Sequence, residues 1–401
     1  MVGEVEMKAS FFITYYDKKI NDFGVGVIKE GKSINIGTFK TGIQKEEIVA
    51  LLKIMKQHSV KENNDLLFIS PGICVELQFS ELVDEKIKNP IFIRFLFETH
   101  WQECRYEKLL GIDIAITHPE KLLFPNSSTT KLDYINYLQT ISPFLLPFLQ
   151  NRLLTTIRFP HGLFGESFYQ KQCPDYAPEF VDTYLHEDIN YVVCNNLSTL
   201  LWLGNQLAFE FHIPFETIHS DGMPSEIVFD LDPPSIEMFD LAIQAAKMIK
   251  DILDRLHLIS FIKISGNKGI QIYIPLPEKQ FTYEEVRLFT EVVATFMVNS
   301  EPNLFTIERL KKNRKNRLYI DYIQHSEGKT IVAPYSIRGK SGGYVACPIE
   351  WEELTDNLTP KDFTMENVIT RIQKANPFKD FFIAKNEQPF QQVVNGLKSN
   401  L

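Results

Sequence analysis

No Cys-x-x-Cys pair occurs in this 401-residue chain, and its five cysteines (Cys74, Cys104, Cys173, Cys194 and Cys347) are odd in number and far apart. That spacing argues against a zinc site and favours reduced thiols in a cytoplasmic protein. An apolar run of about 18 residues, the length of a spanning helix, is also missing. The opening MVGEVEMKAS has neither the basic start nor the apolar stretch of a signal peptide. Nor is there a basic excess: a net charge of −9 argues against a protein that coats nucleic acid through its whole surface. What is present is a globular composition, 44% hydrophobic and 23% charged, in a chain long enough for two or three cores. One cluster, RLKKNRKNR at 309–317, is basic enough to hold phosphate locally or to form a solvated face.

The first hundred residues read as strands (FFITYY, GVGVI, SINIGTF), then a helix at about 44–58, then two more strands, ICVELQFSEL and IFIRFLF. That order suits a small OB-type barrel, with a domain boundary after residue 108. The rest, 109–401, alternates helices with strands. KLDYINYLQTISPFLLPFL (131–149) predicts a helix interrupted by Pro143 and Pro147. Helices at 239–256 and 283–298 separate the strands EIVFDLD, FIKIS and RLYIDYI, which predicts an α+β fold with helices packed on a mixed sheet.

Chemistry concentrates on those strands. In EIVFDLDPP, Asp230 and Asp232 are two residues apart, so they face the same side, where two unpaired carboxylates repel. A divalent cation is the simplest neutraliser, and Asp321 in YIDYI would supply a third carboxylate to a two-metal site. Taken alone, the same acids could cap the next helix or lie exposed. ISGNKGIQIYIPL holds a glycine turn whose N–H groups and Lys268 could cradle an anion, or an ordinary hairpin. APYSIRGKSGG offers Ser336 and Arg338, the latter suited to phosphate, and RFPHGLFGESFYQK offers Arg158, Lys171 and the stacking pair Phe168 and Tyr169.

In order and spacing, VFDLDPP, SGNKGIQIYIPL, YIDYIQ…GKTIVAPYSIR and THPEKLLFPNSSTTK resemble the polymerase domain of bacterial DNA ligase D, of the archaeo-eukaryotic primase superfamily. The likeness covers about 112–375. It implies a primase-polymerase fold and two divalent ions, Mn2+ or Mg2+, on Asp230, Asp232 and Asp321. It implies an NTP or dNTP substrate held by Ser265, Lys268, Gly269, Gln271, Ser336, Arg338 and His212. Many members carry histidine where this chain has Gln271, so weaker triphosphate binding there, or compensation by Lys268 and Arg338, is expected. Lys121 and Lys131 match positions that grip a 5′-phosphate at a gap, and Arg158, Phe168, Tyr169 and Lys171 complete the expected DNA contacts.

The first hundred residues resemble, more loosely, the OB domain that closes an ATP-dependent DNA ligase. The adenylated-lysine motif Lys-x-Asp-Gly occurs nowhere, so ligation by this chain alone is not expected. The OB domain would then hold DNA or dock a ligase or Ku, or the chain is a piece of a longer ligase-polymerase. The function implied is nucleotide addition at gaps and ends of broken DNA in bacterial non-homologous end joining, at the nucleoid in the cytoplasm. The alternatives are a noncatalytic end-binding adaptor and a primase that starts without a primer.

Overall fold

Residues 11–13, Phe-Phe-Ile, are buried in succession, so this strand is covered on both faces. Period-two alternation sends Phe11 and Ile13 into one apolar cluster and Phe12 into another with Cys74 and Cys104. The computed structural model describes residues 7–29, 31–83, 85–109, 114–124, 127–339 and 342–399. Parts of two motifs, residues 125–126 and 340–341, lie outside them. The described residues contain no helix long and apolar enough to cross a membrane.

Two compact units divide between Glu120 and Lys121. The first contains β1 (Met7–Asp17), β2 (Asp22–Lys29), β3 (Lys32–Phe39), α1 (Lys45–Gln57), β4 (Ser59–Glu62), β5 (Leu66–Ile69), β6 (Cys74–Phe79), β7 (Glu81–Val83), β8 (Lys86–Lys88), β9 (Ile91–Leu96) and the short helix α2 (Tyr106–Leu109). The long β1 pairs β2 along one edge, and β6 then β5 along the other, while β6 carries β9. A strand shared this way, with register shifts in β1 and β6, curls the sheet toward an OB-like half-barrel. The expected helix is α1, started by a Gln44–Glu47 capping box and buried through Leu51 and Met55. The unit runs to Glu120, with Tyr106 and Leu109 in its core and Arg105 paired with Ile28.

The second unit opens with α3 (Lys131–Leu149), followed by β10 (Thr155–Arg158), β11 (Phe168–Gln170), β12 (Asp182–His186), β13 (Ile189–Val193), α4 (Leu197–Asn205), β14 (Ala208–Pro214), β15 (Glu226–Asp232) and α5 (Phe239–Arg255). It continues with β16 (Phe261–Ile264), β17 (Ile270–Pro275), α6 (Tyr283–Ser300), β18 (Phe305–Thr306), β19 (Leu318–Asp321), β20 (Thr330–Val332), β21 (Ile337–Arg338), β22 (Tyr344–Val345) and β23 (Pro348–Ile349). Contrary to expectation, α3 is continuous through both prolines. Pro143 cannot donate to the Gln139 carbonyl, but the Ser142 hydroxyl does so at 2.8 Å, which removes part of the cost of the missing bond.

Among the described residues the two larger sheets of this unit are ordered β18-β19-β15-β17-β16-β23 and β11-β10-β14-β20, beside the two-stranded pairs β12-β13 and β21-β22. Helices α5 and α6 cover one face of the first: α5 packs on β15 and β17, and Phe229 meets Phe289 of α6 edge-on. Ile227, Phe229 and Leu231 are buried and share that parity, which leaves Glu226, Asp230 and Asp232 on the opposite face.

Candidate polymerase site

On that opposite face, antiparallel pairing sets Asp321 against Asp230, Asp230 against Gln271, and Gln271 against Lys263. Four neighbouring strands thus contribute one row: two acids, an amide and a cation. Asp232 lies two residues along β15, opposite Tyr319. The three acids singled out in the sequence therefore share one face.

Burial pushes the Asp230 carboxyl up to about 6, with Asp232 and Asp321 repelling in the same direction against a hydrogen bond from Gln271 Nε2 (3.1 Å). Asp232 pairs instead with Lys268 Nζ at 2.9 Å and Arg314 Nη1 at 3.3 Å. Asp321 accepts from the Tyr319 hydroxyl (3.0 Å) and the Gln324 amide (2.9 Å). Among the described residues no group of three or more His, Cys, Asp or Glu side chains is already placed to hold an ion. The donor set nonetheless fits hard cations: all three groups are carboxylates, two stand directly opposite each other, and one is held reluctant to ionise chiefly by burial, with its neighbours' charge adding to it.

The glycine turn locks onto this strand. A Cβ on Gly269 would lie 2.3 Å from the Leu231 carbonyl oxygen, so a side chain there would push the turn off β15. Gly266 has φ +72°, a left-handed conformation. The Ser265 hydroxyl accepts from the amides of Asn267 (3.3 Å) and Gly269 (3.1 Å) inside the turn. Lys268 reaches back to the carbonyls of Pro233 and Pro234 as well as to Asp232. The two prolines that end the DLD strand thus leave their acceptors to a lysine.

The second sheet brings further groups. His212 on β14 lies opposite Val332 of β20, whose carbonyl accepts from Lys263 Nζ at 2.6 Å, so the ammonium of β16 joins the two sheets. Burial, with Arg338 adding repulsion, holds the Lys263 ammonium well below its ordinary range. Glu210, two residues before His212, lies 3.0 Å from His212 Nε2, Arg338 Nε and the Gly339 amide.

Four of the expected contact residues are engaged within the fold. Ser336 is buried, its hydroxyl accepting from the Phe211 amide and donating to the Phe209 carbonyl, so it ties β14 to the loop before β21. Gln271 is 3% exposed, and its side-chain amide donates to Asp230. Lys131 is 3% exposed in the first turn of α3. Arg158 spends its guanidinium on Gln206, Gln170 and Tyr176 and lies 5.3 Å from the Phe168 ring, so it supports that ring from within. Phe168 and Tyr169 are 44% and 69% exposed, and Lys171 is exposed. Lys121 is half-buried and donates to the Pro160 carbonyl.

Sequence reading missed Glu210, Lys263 and Arg314. Arg314 belongs to the basic cluster, yet its guanidinium stacks 3.8 Å from the Tyr319 ring and pairs with Asp232, so the cluster is not simply a solvated face. The signal for Glu210 was its i, i+2 spacing to His212, the same spacing that exposed the DLD pair.

A family model for the LigD primase-polymerase domain matches residues 130–378. The bifunctional non-homologous end joining protein LigD of Bacillus subtilis (strain 168) is 44% identical over 393 residues, which is 96% of this chain and 64% of that protein. The multifunctional non-homologous end joining protein LigD of Mycolicibacterium smegmatis is 30% identical over 263 residues, 64% of this chain and 34% of that one. The chain thus spans under two thirds of the length of these relatives. A solved structure, the polymerase domain of Mycobacterium tuberculosis ligase D in complex with DNA, superposes with TM-score 0.62 at 28% identity, over 69% of this chain and all of that one. With the carboxylate row and the glycine turn on the same residues that carry the sequence likeness, the chain belongs to the LigD primase-polymerase domain family.

Proposed function

We propose that this chain is a template-directed nucleotidyltransferase that adds NTPs or dNTPs at gaps and ends of broken DNA in bacterial non-homologous end joining. The observation that carries the reading is the register pairing of Asp230 with Asp321, with Asp232 on the same face, in a chain that covers a DNA-bound polymerase domain from end to end. Asp230, Asp232 and Asp321 would hold two divalent ions, Mn2+ or Mg2+, which supply charge neutralisation at the triphosphate and a lower pKa for the primer 3′-hydroxyl. Arg314 and Lys268 pair with Asp232 meanwhile and hold that carboxylate in its orientation. Lys268, the amides of the Ser265–Gly269 turn and Arg338 would bind the phosphates; Phe168 and Tyr169 would stack on bases, and Lys171 would meet the backbone.

The chain carries no Lys-x-Asp-Gly, so sealing of the nick is assigned to a separate ligase module, with the first unit as the docking element for it or for Ku at the nucleoid. Labelled NTP offered with Mn2+ on a gapped duplex tests the reading. Template-dependent incorporation supports it; DNA binding without incorporation would instead make the chain an adaptor, and synthesis on unprimed single strands a primase.

Lys121 gives a second expected outcome. Lys121→Ala should weaken binding to a gapped duplex roughly tenfold when the downstream strand is 5′-phosphorylated, the loss of one charge-assisted contact, and leave the unphosphorylated duplex unaffected. Binding curves on the two duplexes decide it, and an equal loss on both contradicts the assignment.

A further inference from the structure

Glu210 is 2% exposed, on the inner strand β14 of the second sheet, and its single carboxylate meets three partners. Oε1 accepts from the Gly339 amide at 3.0 Å, while Oε2 lies 3.0 Å from both His212 Nε2 and Arg338 Nε. Arg338's charge and the two hydrogen bonds hold the acid below its ordinary range although burial alone would raise it. An ionised carboxylate only accepts, so His212 must carry its proton on Nε2, and this fixes tautomer and ring orientation together. The contact to Arg338 differs in kind. Nε is buried but has no hydrogen bond, so Glu210 neutralises the guanidinium and anchors it without locking its angle. A guanidinium held by charge alone can re-aim at an incoming phosphate while its countercharge stays in place.

His212 and Glu210 belong to β14 and Arg338 to β21. The carboxylate is therefore the common support of two groups from separate elements, and one of them, Arg338, is close enough to act on Asp230 of the acid row. We propose that Glu210 is a positioning residue for nucleotide binding: from one buried carboxylate it sets His212, Arg338 and the Gly339 amide as the wall against which the triphosphate is bound. The proposal rests on the polymerase reading above, which names what that wall binds, but its structural half does not.

Glu210→Gln keeps size and one acceptor and removes the charge. In primer extension with Mn2+, it should raise KM for NTP about tenfold while kcat stays within about threefold and the affinity for gapped DNA is unchanged. In the nucleotide-free protein, burial lowers the His212 pKa; of the groups that face the ring, Glu210 raises it, and Arg338 and Lys263 lower it. Losing the carboxylate should move the His212 titration, followed by NMR of the ring protons, further downward. An unchanged KM, or an unchanged His212 titration, overturns the proposal, even if the melting temperature falls. If Glu210→Gln does not fold, Glu210→Asp carries the same test, since it keeps the charge and withdraws it by one methylene: a raised KM supports and an unaltered KM refutes. The titration needs no catalysis, so its result separates failure of this role from failure of the polymerase reading.

Discussion

Replacing Asp230 and Asp232 together by alanine is expected to abolish primer extension in Mn2+, by a factor of at least about a thousand, while binding to gapped DNA persists. On the proposed reading the carboxylates would act on charge at the reacting phosphate and not on the duplex, so the loss would belong to chemistry. Extension by the double variant at the wild-type rate would refute the assignment. The same substitution should stabilise the ion-free protein. The folded Asp230 carboxyl, at about 6, lies above its ordinary 3.8, so the native state binds the extra proton between those values. Stability therefore falls as pH rises through that window, and the deficit is complete above it. It amounts to at most about 3 kcal/mol at neutral pH, which alanine removes. Thermal melts at pH 5 and pH 7.5 read this directly: the parent should lose stability between them and the variant should lose less.

The second large effect is expected away from the chemistry. Arg152 is 3% exposed and forks onto Glu226, 2% exposed, through Nη1–Oε1 at 2.6 Å and Nη2–Oε2 at 2.7 Å; it also donates to the Pro214 carbonyl and the Ser225 hydroxyl. Glu226 starts β15, so the pair pins the acid-bearing strand to β14 and to the segment after α3. Arg152→Met should cost about 3–5 kcal/mol, because it leaves a buried carboxylate without a partner. That is a fall on the order of 10 °C in melting temperature. Burial alone would raise the Glu226 carboxyl, but Arg152 holds it below 4.5. In the parent its contribution is thus complete above that pH and lost as pH drops through the lowered value. In Arg152→Met burial wins and the carboxyl rises, so stability should decline with increasing pH. A variant as stable as the parent, or one whose pH slope keeps its sign, would show that the ion pair is not what fastens the strand.

The acid row was legible because strand parity and β-pairing are local rules: i, i+2 spacing gave Asp230 and Asp232 a common face, and the YIDYI strand needed only to pair beside them. The glycine turn was legible for a similar reason, since Gly266 and Gly269 mark where backbone geometry excludes a side chain. Burial was not. Nothing in APYSIR tells Ser336 from Arg338, yet one hydroxyl ends inside, bonded to β14, while the guanidinium remains beside the site. Lys131 and Lys263 look like surface lysines in sequence and lie at 3% and 0% exposure, because a helix start and a central strand carry them inward.

The alignment of Asp321, Asp230, Gln271 and Lys263 across four strands has a consequence for how the site can fail. A slip of one residue in β15 would turn its acids toward α5 and α6 and its isoleucine, phenylalanine and leucine toward the site, with no intermediate setting. Molecules are therefore competent or dead, never half-speed. An imperfectly refolded preparation should show a smaller count of working sites in active-site titration, each turning over at full pace.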